Sequence, residues 1–129
     1  MTRGTDTCGC MLDRAGDSNE LFRFSTTALQ WEQLDAGLVW GSPPSARTGH
    51  TMAAVGSDIF VFGGSTGSAG SNELFRFSTT TLQWEQLDGS RVSGSPPSER
   101  QSHAMVAVGS DLYIFGGWTV SGEEARCAC

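Results

Sequence analysis

Two histidines, four cysteines and a single tyrosine are the side chains best suited to metal or redox chemistry in this chain. The cysteines fall in two close pairs, Cys8/Cys10 and Cys127/Cys129. A Cys-x-Cys spacing is not the Cys-x-x-Cys of common zinc modules. If the termini met, four thiolates could hold a metal, or form disulfides in an oxidising compartment. The simpler expectation places both pairs in irregular tails, with Glu123-Glu124 as solvated acidic surface. His50 and His103 have no carboxylate or thiolate at ligand spacing, so both read as packed or hydrogen-bonded scaffold residues, and no metal or other cofactor is expected. The glycine-rich stretch Gly63 to Gly70 lacks the helix and the lysine of a phosphate-binding loop. No Ser/His/Asp arrangement stands out, and no paired carboxylates occupy a repeated position. The residues therefore point away from an enzyme.

The elements that carry these residues are short. The chain has 129 residues, 38% of them apolar and 17 of them Gly. That length suits one small domain, and abundant Gly between short Phe-, Val- and Ile-containing runs suggests many strands and tight turns. No apolar run approaches the roughly 18 residues of a membrane span. Met1 to Cys10 lacks the apolar stretch of a secretory leader, so the compartment stays unassigned, with the cytoplasm as default. The formal charge is −6, and all eight basic residues are Arg, scattered singly. Without a basic stripe to follow phosphates, nucleic acid is not an expected partner.

An internal duplication dominates the sequence. Ser18 to Gly64 recurs as Ser71 to Gly117 at a constant offset of 53, with 34 of 47 aligned positions identical. Each copy divides into four short segments. In the most complete one these are His50 to Val55, Asp58 to Phe62, Glu73 to Phe77 and Leu82 to Leu87. Gly56-Ser57 between the first two suits a type II′ hairpin. The second segment, apolar throughout and closed by Gly63-Gly64, fits a strand buried on both faces. In the third, Phe75 and Phe77 share one face, with Leu74 and Arg76 on the other. The fourth alternates polar and apolar residues, as an outer strand does. Trp31, Leu34 and Leu38 would also fit a helix, but Thr79-Thr80-Thr81 and Gly89 in the second copy favour the strand.

Four strands in about 50 residues, with Arg47-Thr-Gly-His50, Ile59-Phe-Val-Phe-Gly-Gly64 and Trp84, resemble one blade of a kelch-type β-propeller. The pattern returns in Arg100-Gln-Ser-His103 and Leu112-Tyr-Ile-Phe-Gly-Gly117, and Trp31 supplies it for the preceding unit. Phe24 and Phe77 stand where kelch repeats usually have Tyr. The resemblance implies an all-β fold of blades, each a four-stranded antiparallel sheet. The double Gly is expected to supply positive φ and close strand approach, and Trp31 and Trp84 to pack between blades. Some kelch propellers, resembling galactose oxidase, are copper enzymes. That chemistry needs a Tyr/His constellation, whereas Tyr113 is here the only Tyr and lies inside a strand. A propeller enzyme and a thiolate metal-binding protein are the alternatives to a binding scaffold.

The expected organisation is a tail over 1–17, a half unit over 18–43, a full unit over 44–88, a half unit over 89–118 and a tail over 119–129. Propellers typically have 4 to 8 blades, and this chain holds about two blades' worth of strands, an incomplete ring. It reads as part of a larger protein, or as a homo-oligomer in which complementary half units complete blades between copies.

The resemblance implies binding of a protein or peptide. Alternate loops of a blade lie on opposite faces, and the longer ones, Ser65 to Ser71 and Asp88 to Glu99, share one face. Long loops on a rigid scaffold commonly carry recognition. Differences between the copies concentrate there: Leu38 against Arg91, Trp40 against Ser93, Ala46 against Glu99 and Ser65 against Trp118. Trp40 and Trp118, loop tryptophans without a counterpart, are candidate interface anchors. Arg47 and Arg100 open their first strands at the same mouth, where residues of similar kelch domains often contact acidic peptides. They are candidates either for that contact or for bracing the loops.

Overall fold

The computed structural model describes residues 16–67 and 69–119. The terminal tails, with both cysteine pairs, lie almost wholly outside them. Nine strands and no helix are present among the described residues: β1 Phe22–Ser25, β2 Gln30–Gln33, β3 Trp40–Gly41, β4 Thr51–Val55, β5 Asp58–Phe62, β6 Leu74–Ser78, β7 Gln83–Gln86, β8 Ala104–Val108 and β9 Asp111–Phe115. They form three sheets, ordered β1-β2, β3-β7-β6-β5-β4 and β8-β9. A complete antiparallel blade, β4 to β7, thus stands between two half-blades. The fold is all-β and open, consistent with part of a kelch propeller.

The middle blade follows the alternation of its sequence. Phe75 and Phe77 of β6 are buried, while Leu74 and Arg76 on the other side are half-buried. Val61 and Phe62, adjacent in β5 and therefore on opposite faces, are both buried. One face closes over Leu34 of the first half-blade, which joins Val61, Phe75, Phe77 and Trp84 in the core cluster. The other meets the last half-blade, where the Phe62 ring stands edge-on to His103 at 5.4 Å. Strand β4 lies beside β8.

The fourth segment is a strand in both copies, and its register gives the reason. Phe24 lies opposite Trp31 and Phe77 opposite Trp84, with ring centroids 4.9 Å apart in each pair. A cross-strand aromatic pair of this kind contributes roughly 0.5–1.5 kcal/mol beyond its buried area. The strand starts one residue later than the sequence suggests, at Gln83. Leu82 takes a left-handed φ of 56° in the turn, and its N–H donates to the Ser78 carbonyl at 2.8 Å.

One element was not foreseen. Trp40 and Gly41, expected in a loop, pair in parallel with Gln83 and Trp84 and add a fifth, outer strand to the blade.

Candidate protein-interaction face

The hydrogen bonds separate the two ends of the middle blade. At one end the β4–β5 turn meets the β6–β7 turn, since the Thr79 N–H and hydroxyl donate to the Ser57 carbonyl at 3.0 and 2.7 Å. At the other end the longer connections interlock. The Arg100 N–H donates to the Ser71 carbonyl at 3.1 Å, the Gly64 N–H to the Arg100 carbonyl at 2.9 Å, and Asn72 Nδ2 to the Pro97 carbonyl at 3.2 Å. This second end is the long-loop face.

Arg47 is the brace of that face. Its Nε donates to the Ser45 carbonyl at 3.1 Å and its Nη1 to the Gly63 carbonyl at 3.0 Å. Nη2 reaches Ser45 Oγ at 3.2 Å and Glu73 Oε2 at 3.0 Å, and the guanidinium stands over the Phe75 ring at 5.2 Å. The residue is only 5% exposed. Burial alone would raise the Glu73 carboxyl; the hydrogen bonds from Arg47 and Ser71 and the charge of Arg47 outweigh it and hold the group below its ordinary value. Such charge-assisted bonds are the stronger kind. Arg100 repeats the pattern, donating to the Ser98 carbonyl at 3.1 Å, the Gly116 carbonyl at 2.9 Å and Ser98 Oγ at 3.1 Å. Among the described residues it meets no carboxylate.

His103 joins the blades. Its Nε2 lies 2.6 Å from Thr51 Oγ1 of the middle blade. Burial, and less strongly the charges of Arg100 and His50, hold its pKa below the usual value, partly offset by the Phe62 carbonyl. His50 is lowered too, by burial and by Arg47. No cluster of three metal-ligating groups occurs among the described residues.

The double glycines let these parts meet. A Cβ on Gly64, whose φ is +98°, would stand 2.9 Å from the Thr48 carbonyl oxygen and 3.0 Å from His50 Cβ. On Gly63 it would stand 2.8 Å from the His103 ring. A side chain at either position would push the loop off the neighbouring strand.

The candidate residues do not all gather. Arg47, Arg100 and Trp118 share the long-loop face. The backbone of Trp118 bonds both ways to Gln101, at 2.8 and 3.1 Å, and its side chain is 54% exposed. Trp40 is elsewhere: its N–H donates to the Leu82 carbonyl at 2.8 Å in the β6–β7 turn, on the outer edge and toward the short-loop end. The connection after β2 runs along β7 before it rises to Arg47, a path that alternation of short segments does not reveal. The Ser-Asn-Glu runs Ser18 to Glu20 and Ser71 to Glu73 escaped the sequence reading. They anchor loops through Asn19 to the Pro44 carbonyl and Asn72 to that of Pro97, both at 3.2 Å. Their identity in the two copies was the available signal.

Blades of this order, with an arginine brace, an inter-blade histidine and double glycines at close approaches, define a kelch-repeat scaffold. The family described as the KLHDC2/KLHL20/DRC7 Kelch-repeats domain matches residues 7–128, and the chain belongs to the kelch-repeat family. Among curated relatives it is similar to the Rab9 effector protein with kelch motifs of Mus musculus, 42% identical over 109 residues, covering 81% of this chain and 27% of that protein. The Danio rerio protein of that name is 41% identical over 117 residues, covering 86% and 29%. Kelch domain-containing protein 3 of Homo sapiens is 32% identical over 107 residues, covering 81% and 26%. The chain thus spans less than a third of the length of these relatives.

Proposed function

We propose that the chain is a protein-interaction module of non-enzymatic character, in which the long-loop face receives a protein or peptide partner. The observation that carries the reading is Trp118, an exposed aromatic side chain on a backbone locked to Gln101, where the other copy has Ser65. A rigidly held, partly exposed Trp is a low-entropy anchor. Arg47 and Arg100 frame the mouth: Arg47 acts by holding the loops, and Arg100, less enclosed, also offers positive charge to an acidic segment. Trp40 would serve a separate contact on the outer edge. A second copy of the chain is also a protein partner, but it would use the open sheet edges. Relatives at about 40% identity are named as effectors of Rab9, so Rab9 is the first candidate, followed by acidic peptides.

The test is binding of the purified chain to Rab9 and to a panel of acidic peptides, with Trp118→Ser and Trp40→Ser in parallel. At least one ligand should bind, and Trp118→Ser should weaken it by about tenfold or more. Absence of binding across the panel, or binding that depends on Trp40 and ignores Trp118, would remove the long-loop face as the site.

A further inference from the structure

The two half-blades end in open strands. Among the described residues β1 is paired only with β2, and β9 only with β8. The duplication makes β9 the counterpart of β5, and β1 the counterpart of β6. In the middle blade those two strands pair antiparallel, with Asp58 opposite Ser78 and Phe62 opposite Leu74.

The groups that join β5 to β6 are all present, in separate places, on the open edges. Arg76 Nε donates to Asp58 Oδ2 at 3.0 Å; the counterparts are Arg23 and Asp111. Arg47 binds Glu73; the counterparts are Arg100 and Glu20. The acceptor side is already arranged. Ser18 Oγ donates to Glu20 Oε2 at 2.9 Å and Gln33 Nε2 to Glu20 Oε1 at 3.0 Å, as Ser71 and Gln86 do to Glu73 at 3.0 and 3.2 Å. The apolar side chains agree. Phe115 is 82% exposed where its counterpart Phe62 is 2% exposed, and Phe22 and Phe24 are exposed where Phe75 and Phe77 are buried. Phe62 is covered by the following half-blade, and Phe75 and Phe77 by the preceding one, so these exposures mark open faces. The charged pairs mark the open edges: by them, the strand that fits β1 has the chemistry of β9, and the reverse.

We propose that β9 of one copy adds to β1 of a second copy, antiparallel, with Asp111 opposite Ser25 and Phe115 opposite Leu21. Arg23 of the second copy then binds Asp111, and Glu20 of the second copy binds Arg100. The new blade takes its first and second strands from one chain and its third and fourth from the next. Strand addition of this kind draws affinity from main-chain hydrogen bonds and specificity from alternate side chains. The contact joins unlike ends, so it repeats head to tail and closes when the rotation permits. With about two blades' worth of strands per copy, a ring of 4 to 8 blades takes two to four copies.

The test is the solution mass of the 129-residue chain by light scattering at two concentrations, under reducing conditions so that cysteines form no cross-links. Wild type should show a multiple of 13.7 kDa. Arg23→Glu faces Asp111 with a like charge, and Asp111→Arg faces Arg23 with one. Each alone should raise the assembly midpoint by on the order of a hundredfold. In an equimolar mixture unlike variants present opposite charges to each other and should associate, closing by alternation where the copy number is even. The double variant should assemble alone at any copy number. Circular dichroism confirms that each variant keeps its strands. Monomeric wild type at both concentrations would show that the edges answer to other blades and not to this chain, and would overturn the proposal. Single variants with wild-type mass, or a mixture that stays monomeric while both chains are folded, would overturn it too. Neither substitution touches Trp118, so the outcome is separate from that of the loop-face binding test.

Discussion

Arg47 is a cation held where cations are seldom found, and its neighbours explain why. A guanidinium offers five N–H donors in a fixed fork, and here the fork meets the Ser45 carbonyl and hydroxyl, the Gly63 carbonyl and the Glu73 carboxylate. Arg47→Ala removes the donors and leaves buried acceptors behind, which costs about 2–3 kcal/mol in urea unfolding. Arg47→Lys keeps the charge without the fork and recovers only part of this. Arg100→Ala, in a more exposed setting, should cost under about 1 kcal/mol in the monomeric chain. His103 supplies a second residue-scale prediction. Its folded pKa lies below the usual 6.5, so the unfolded chain takes up a proton before the native one does. Stability is therefore fully present above about 6.5 and declines as pH falls from there through the folded value. Glu73, depressed below its usual 4.5, adds a second loss that begins near 4.5 and continues as pH falls through its folded value. Urea midpoints between pH 7.5 and 3 should show both windows. His103→Gln should flatten the upper one in part, and the remainder belongs to His50, which is lowered in the same direction.

At the scale of elements, the close approach of the Gly64 loop to the Thr48–His50 segment fixes how one connection passes over the next strand. Gly64→Ala puts a Cβ 2.9 Å from a carbonyl oxygen at a φ of +98°. The expected loss is about 1–3 kcal/mol, read as a lower thermal midpoint. Gly109→Ala, also at positive φ but with nothing within 4 Å, bears the conformational strain alone and should cost less. The same contrast explains what could be read in the sequence. Strands β4 to β9 were legible because alternation, paired turn residues and duplication all agree there. The Gly63-Gly64 pair announced a close approach because two successive glycines end a strand in both copies. Strand β3 was not legible: two residues carry no period, and what makes Trp40-Gly41 a strand is the edge of β7, distant in sequence. The make-up of the candidate face was legible in part for a related reason. Arg47, Arg100 and Trp118 stand beside motif positions whose place in a blade is fixed, whereas the Arg47–Glu73 pair depends on a loop folding back across 26 residues.

For the molecule as a whole, the duplication supplies an internal control, because identical residues occupy unequal surroundings. Trp84 is 7% exposed and Trp31 is 68% exposed, although each faces a Phe across the hairpin at the same 4.9 Å. The difference is what lies on the far side. Trp84 packs with Leu34 and Leu21 of the preceding half-blade, and among the described residues no earlier blade packs against Trp31. In the monomeric chain Trp84→Ala should therefore cost about 3–5 kcal/mol, and Trp31→Ala under about 1 kcal/mol. If copies join as inferred, Leu87 and Leu74 of the neighbouring copy, the counterparts of Leu34 and Leu21, come to lie against Trp31. The cost of Trp31→Ala then rises with protein concentration toward that of Trp84→Ala, since binding to the native state adds to stability by mass action. Unfolding midpoints of the two variants at low and high concentration measure this directly. A Trp31→Ala penalty that stays small at every concentration would mean that the exposed face of the first half-blade is not covered by a second copy.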